Sequence, residues 1–219
     1  MHKVSYGLAG LGIAVSMALP VQAQTASIGN ATTATVNGTF DRQSITTSFA
    51  DLRFQYGTLT ATGAGTFSFS YLGNESGWTN AFSLNIGSAG VLTEQSALGS
   101  TVSFVVGADN LMPSFTFMTM NPFGWASASN GQSFTDNSNP SFAIISNRNG
   151  GNVMASYGGA SHGFQYVLGF NDAYSGDRDF DDYKVGVNFV AAPVPEPSTY
   201  ALMLAGLAAV GFMARRRKA

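Results

Sequence analysis

The sequence predicts an all-β fold: an antiparallel β-sandwich, jelly-roll-like, flanked by an N-terminal signal helix and a C-terminal transmembrane helix. Three observations predict it. Apolar side chains recur with a period of two along the middle of the chain. Clusters of Gly and Asn separate these stretches at short intervals. Long apolar runs without that alternation stand only at the two ends.

At the start, His2 and Lys3 precede an apolar run from Val4 to Leu19, which Pro20 breaks. Val21-Gln22-Ala23 then puts small residues at the two positions that a signal peptidase reads. Residues 1–23 are expected to be a secretory signal peptide, cut after Ala23 to leave Gln24 first. A buried first helix is the alternative.

Residues 24–193 are expected to be the β-sandwich, one domain by length. Phe67, Phe69 and Tyr71 alternate, as do Phe82, Leu84 and Ile86, then Val102, Phe104 and Val106, then Phe115 and Phe117. Phe142-Ala143-Ile144-Ile145 reads as a short buried run. Phe164, Tyr166, Leu168 and Phe170 read as one strand, and Tyr183, Val185, Val187 and Phe189 as the last. Turn formers lie between them, and Asn130 to Ser141 reads as a long polar surface loop. Many short strands with Gly/Asn turns point to a sandwich. An up-and-down barrel is the second choice. An outer-membrane barrel needs strands of about ten residues, longer than these.

Residues 194–219 differ again. Val194-Pro195-Glu196-Pro197-Ser198 is followed by an apolar run from Tyr200 to Ala214 and by Arg215-Arg216-Arg217-Lys218. A helix over the apolar run spans about 22 Å, against a bilayer core of roughly 30 Å. It crosses only if flanking residues snorkel or the bilayer thins. A transmembrane helix is expected over 199–214 with a basic tail at 215–218, the cations staying on the cytoplasmic side. The string VPEPSTYALMLAGLAAVGFMARRRKA resembles the PEP-CTERM sorting tail of Gram-negative surface proteins. The resemblance implies that an exosortase recognises Pro195, Glu196 and Pro197, cleaves nearby, and uses Arg215, Arg216 and Arg217 as the stop. It also implies export across the inner membrane, transient membrane anchoring, then the outer surface or extracellular matrix, in a family that accompanies exopolysaccharide and biofilm production. A plain tail anchor is the alternative.

Composition narrows the chemistry. Without Lys3 and the four terminal cations, five of ten Lys and Arg remain; without Glu196, eleven of twelve Asp and Glu remain. The middle is therefore acidic and charge-poor, which excludes nucleic acid as an electrostatic partner and suits cations. There is no cysteine, so disulfides and thiolate-bound metals are excluded. His162 is the only histidine of the middle, which leaves no histidine-rich metal site.

The one chemical constellation is Asn171 to Asp182, which holds Asp172, Asp177, Asp179, Asp181 and Asp182. Five anions in one loop repel unless water or a cation screens them. Calcium takes six to eight oxygen ligands, and Asp177-x-Asp179-x-Asp181 starts as a calcium loop does. The EF-hand pattern then fails, with Asp182 where Gly belongs and Asn188 where Glu belongs. A solvated turn, with Arg178 and Lys184 pairing to neighbouring carboxylates, is the alternative. GFNDAYSGDRDFDDYKVGVNF and FSYLGNESGWTNAFSL resemble two blocks of the DUF4114-like β-domains that accompany these tails. That resemblance implies that Glu75 and Asn80 lie near the acidic loop as further calcium ligands.

Other chemistries are weaker. No G-x-S-x-G elbow accompanies His162, and nothing in the sequence marks one carboxylate of a pair as the acid of a glycosidase. Trp125, in a stretch rich in turn formers, is the candidate for an exposed sugar-stacking residue. The expectation is a non-enzymatic surface or matrix protein, handled by an exosortase and stabilised by calcium, with exopolysaccharide as a partner. A calcium-dependent carbohydrate-binding module and a secreted polysaccharide hydrolase are the alternatives.

Overall fold

A computed structural model describes residues 23–85, 90–107, 109–172, 177–193 and 197–217. The signal segment 1–22, Ile86, Pro195 and Glu196 lie outside the described residues. In chain order the strands are β1 (Ala26–Thr33), β2 (Leu52–Ala61), β3 (Gly65–Gly73), β4 (Thr79–Leu84), β5 (Val91–Thr93) and β6 (Thr101–Val106). There follow β7 (Phe115–Asn121), β8 (Gly124–Ser129), β9 (Ser141–Asn147), β10 (Val153–Tyr157), β11 (Ala160–Phe164), β12 (Tyr166–Asn171), β13 (Tyr183–Ala191) and the helix α1 (Pro197–Arg216).

Every pairing is antiparallel. A seven-stranded sheet runs β1-β2-β9-β12-β13-β3-β6 and a four-stranded sheet runs β5-β4-β7-β8. Period-two alternation turns Phe67, Phe69, Phe142, Ile144, Leu168, Phe170, Val185 and Val187 to one face of the large sheet. There they share one core with Phe82, Leu84, Phe115 and Phe117 of the small sheet. Phe117 stacks on Phe170 at 4.9 Å and 7°, and Phe69 meets Phe82 at 5.1 Å. This is sandwich packing, with aromatic pairs adding to area burial.

The large sheet buries its other face too. Phe54, Tyr56, Ala143, Ile145 and Val167 meet Ala34, Phe40, Ile45, Val153, Ala155, Phe164 and Phe180 in a second core. The cover is the β10–β11 hairpin and a strap over residues 34–47, which runs beside β10 through the Ile45–Ala155 bridge. Burial on both faces explains why β9 reads as an unbroken apolar run.

Two expectations are corrected. A jelly roll shares eight strands between its two sheets; here the division is seven to four with an added hairpin. Phe164 to Phe170 is not one strand. It breaks at Gln165, whose side chain accepts from the Phe189 amide at 2.8 Å. Phe164 enters the second core while Leu168 and Phe170 enter the first. Of the expected loop Asn130 to Ser141, residues 130–140 carry no strand, but Ser141 opens β9 and is buried, and the stretch is pinned. Asn130 bonds both main-chain groups of Leu59 at 2.9 Å, and Phe134 packs on both cores.

The body Ala23–Ala192 is one compact unit, and α1 belongs to another. The helix has 20 residues and carries Arg215 and Arg216 in its last turn, where cations suit the helix dipole. Among the described residues, no helix is long and apolar enough to cross a membrane.

Candidate metal centre

Four of the five acidic residues are withdrawn from solvent. Asp172, Asp179, Asp181 and Asp182 are buried, Asp181 completely. Phe180 decides this. Its ring is buried beside Phe54 and Tyr56, 6.2 and 5.9 Å away. To reach that core its backbone takes φ 61°, a left-handed conformation that a bulky residue adopts only when packing demands it. Phe180 thereby carries Asp179 and Asp181 inward with it. Gly169 makes room: an added Cβ would collide with the Phe180 carbonyl.

Three carboxylates converge. Glu75, from the β3–β4 loop, Asp181 and Asp182 each offer an oxygen, and these oxygens lie within 4.8 Å of one another. Asp181 Oδ2 accepts from the Asp41 amide of the strap. Asp181 Oδ1 is buried with no hydrogen-bond partner. Asp182 Oδ2 accepts from the Asp172 amide at 2.8 Å. Lys184 is completely buried, and its Nζ donates to the Asp181 carbonyl at 2.6 Å.

Titration reflects the crowding. Burial, reinforced by the Asp179 carboxyl, pushes Asp181 up to about 7. Burial and the Asp172 charge push Asp182 up to about 9. Burial, with Asp177 nearby, also raises Asp179. Burial lowers Lys184 to about 8 despite the pull of Asp181, Asp41, Glu75 and Asp182. One lysine does not neutralise this set, so the carboxyls either hold protons or share a cation.

The donors are all oxygens, which fits a hard divalent cation. Glu75, Asp181 and Asp182 would hold it, and the unpartnered Asp181 Oδ1 is the acceptor such an ion would satisfy. Glu75 is exposed, which leaves a side for water.

The other sequence-predicted residues take different places. Asp172 Oδ2 accepts from Ser76 Oγ at 2.6 Å and from Asn80 Nδ2, so Asn80 reaches Asp172 and not the converging trio. The carbonyl oxygen of the Asn80 side chain is buried without a partner. Asp179 and Asp177 pack over Gly38 of the strap, and Asp177 is exposed. Within the D-x-D-x-D spacing Asp179 lies beside Asp181, while the three carboxylates whose oxygens converge are Glu75, Asp181 and Asp182. Arg178 points away: its Nε donates to the Thr35 carbonyl at 3.3 Å and Nη1 to the Asp136 carbonyl. Trp125 stands on strand β8, not in a loop; it is 68% exposed and lies opposite Met120. Sequence reasoning missed Asp41, which acts through its amide, and Phe180, whose role depends on a distant core. Of the sorting residues, Ala23 is exposed, Pro197 opens α1, and Arg215 and Arg216 close it, with Arg217 next.

Residues 193–218 match the PEP-CTERM protein-sorting motif. No curated protein and no solved structure matches the chain. The motif marks an exported, exosortase-targeted protein with a membrane-associated sorting step.

Proposed function

We propose that the protein is a non-enzymatic component of the cell surface or the exopolysaccharide matrix of a biofilm. Its DUF4114-like β-domain is locked by a calcium ion held by Glu75, Asp181 and Asp182. The single observation that carries the ion is the convergence of these three carboxylates, and the unpartnered, buried Oδ1 of Asp181 supports it. The ion would tie the strap at Asp41, the β3–β4 loop at Glu75 and the loop before β13 into one structure. The helix α1 serves as a disposable membrane handle until the exosortase acts. A non-enzymatic role is favoured because Asp181 and Asp182 are buried against the strap and β13. His162 is stacked on Tyr157 at 3.9 Å, where aromatic packing accounts for it.

Isothermal titration of the full-length, chelator-treated protein tests the reading. One calcium per chain is expected, lost in Asp181→Asn; no heat and no bound ion in the wild type refutes it. A second reading, carbohydrate binding, rests on the exposure of Trp125. Neutral oligosaccharides that bind wild type and Trp125→Ala equally well would exclude that residue.

A further inference from the structure

Exposed sheet edges present unpaired main-chain donors and acceptors, and proteins blunt them with bulges, charges, proline or short strands. Most long edges here are blunted. In β1 the register shifts between Gly29 and Thr32, and Asn30 has φ 52°. β5 has three residues, and its Thr93 amide donates to Ser96 Oγ at 2.9 Å. At the end of β8 the Ser129 amide donates to Gln132 Oε1 at 2.7 Å.

β6, the other edge of the large sheet, has none of these devices. Thr-Val-Ser-Phe-Val-Val carries no charge, no proline and no glycine. It pairs with β3 over all six residues without a register shift. Among the described residues, no main-chain hydrogen bond outside the β3 ladder involves it. Val105 is 73% exposed on the outer face, and on the inner face Val102 and Phe104 are only partly covered by the core.

We propose that β6 is a self-association edge: two copies of the chain pair β6 to β6, antiparallel, about a two-fold axis at Ser103. Face parity restricts the register to two-fold axes that pass through a residue, and the axis at Ser103 keeps the bulky Phe104 off its own copy. Opposed residues must lie on the same face, so a slip of one residue would put inward Val102 against outward Val105. Centred on Ser103, the pairing sets Thr101 against Val105, Val102 against Phe104, and Ser103 against its own copy. The inner-face pairs extend the two cores toward each other and cover the open sides of Val102 and Phe104. A second copy is the favoured occupant because the edge carries no charge, so its own copy can lie against it without repulsion. A two-fold contact also closes on itself.

Position 103 tests this in the full-length protein. Ser103 is exposed, and its side-chain hydrogen bond to Ser68 Oγ is long, at 3.5 Å, so substitution spares the fold. Ser103→Lys alone and Ser103→Asp alone set like charges opposite each other. By sedimentation, each is expected to weaken the dimer at least tenfold. Mixing the two variants is expected to restore a dimer that contains one of each, seen by native mass spectrometry. Because the chain has no cysteine, Ser103→Cys is expected to give a disulfide-linked dimer at least tenfold faster than Ser127→Cys. Association through α1 does not respond to charge at position 103. A monomeric wild type, or a mixture no more associated than its parts, overturns the proposal.

Discussion

Replacing Asp181 by Asn should change sign with calcium. The substitution keeps the shape of the side chain and an acceptor for the Asp41 amide, but removes one buried charge. In chelator at pH 8 the wild type must ionise an acid whose folded pKa is about 7. Against an unfolded value near 3.9, that is worth about 4 kcal/mol at most at 1.36 kcal/mol per unit. The Asn amide keeps part of the burial penalty, so the variant should be more stable than wild type by roughly 1–3 kcal/mol. For a domain of this size that is several degrees in Tm, at about 2–4 °C per kcal/mol. With calcium at about a thousand times its Kd, the wild type should gain about 4.1 kcal/mol, a gain that the variant loses with its ligand. The order of the two melting temperatures should therefore invert. The sign with pH follows. Asp181 and Asp182 have folded values raised above the unfolded ones, so their contribution is fully present below about pH 4 and lost as pH rises toward about 9. Lys184, lowered to about 8, returns stability only above that value. Scanning calorimetry of full-length protein from pH 4 to 9 should show this decline in chelator and a flatter profile in calcium. If Asp181→Asn melts below wild type under both conditions, by similar amounts, the shared-cation argument fails.

Further outcomes follow from the same structure. Phe117→Ala should destabilise by about 3–5 kcal/mol, because its ring packs on Phe82, Phe115, Phe142 and Phe170; urea unfolding measures it. Gly169→Ala should lower stability by about 1–3 kcal/mol through overpacking against Phe180, without changing the secondary structure seen by circular dichroism. Trp125→Ala should shift stability by no more than about 0.5 kcal/mol, because the residue is exposed. In the native host, mass spectrometry of the exported protein should find no Arg215 to Lys218, and replacing Pro195-Glu196-Pro197 by Ala should leave that tail attached.

By itself the sequence determined the alternating strands β3, β4, β6, β7 and β13, the apolar run of β9 and the tail, but not β1, β5, β8 or β10, whose apolar alternation is weak, nor β2. Alternation at Phe67–Tyr71, Phe115–Phe117 and Tyr183–Phe189 is a local property, because neighbouring side chains of a strand point to opposite faces. Sorting is equally local, since the apolar run and its basic stop act as a linear signal. Tertiary structure alone decided which carboxylates meet. Glu75 joins Asp181 and Asp182 across about a hundred residues because β3 pairs with β13, and the turn at Phe180 forms only against a core built from β2. Likewise the break at Gln165 escapes a period-two reading, since Phe164 and Leu168 are equally apolar yet face different cores. A pattern records that a residue is buried; only the packed sheets say against what.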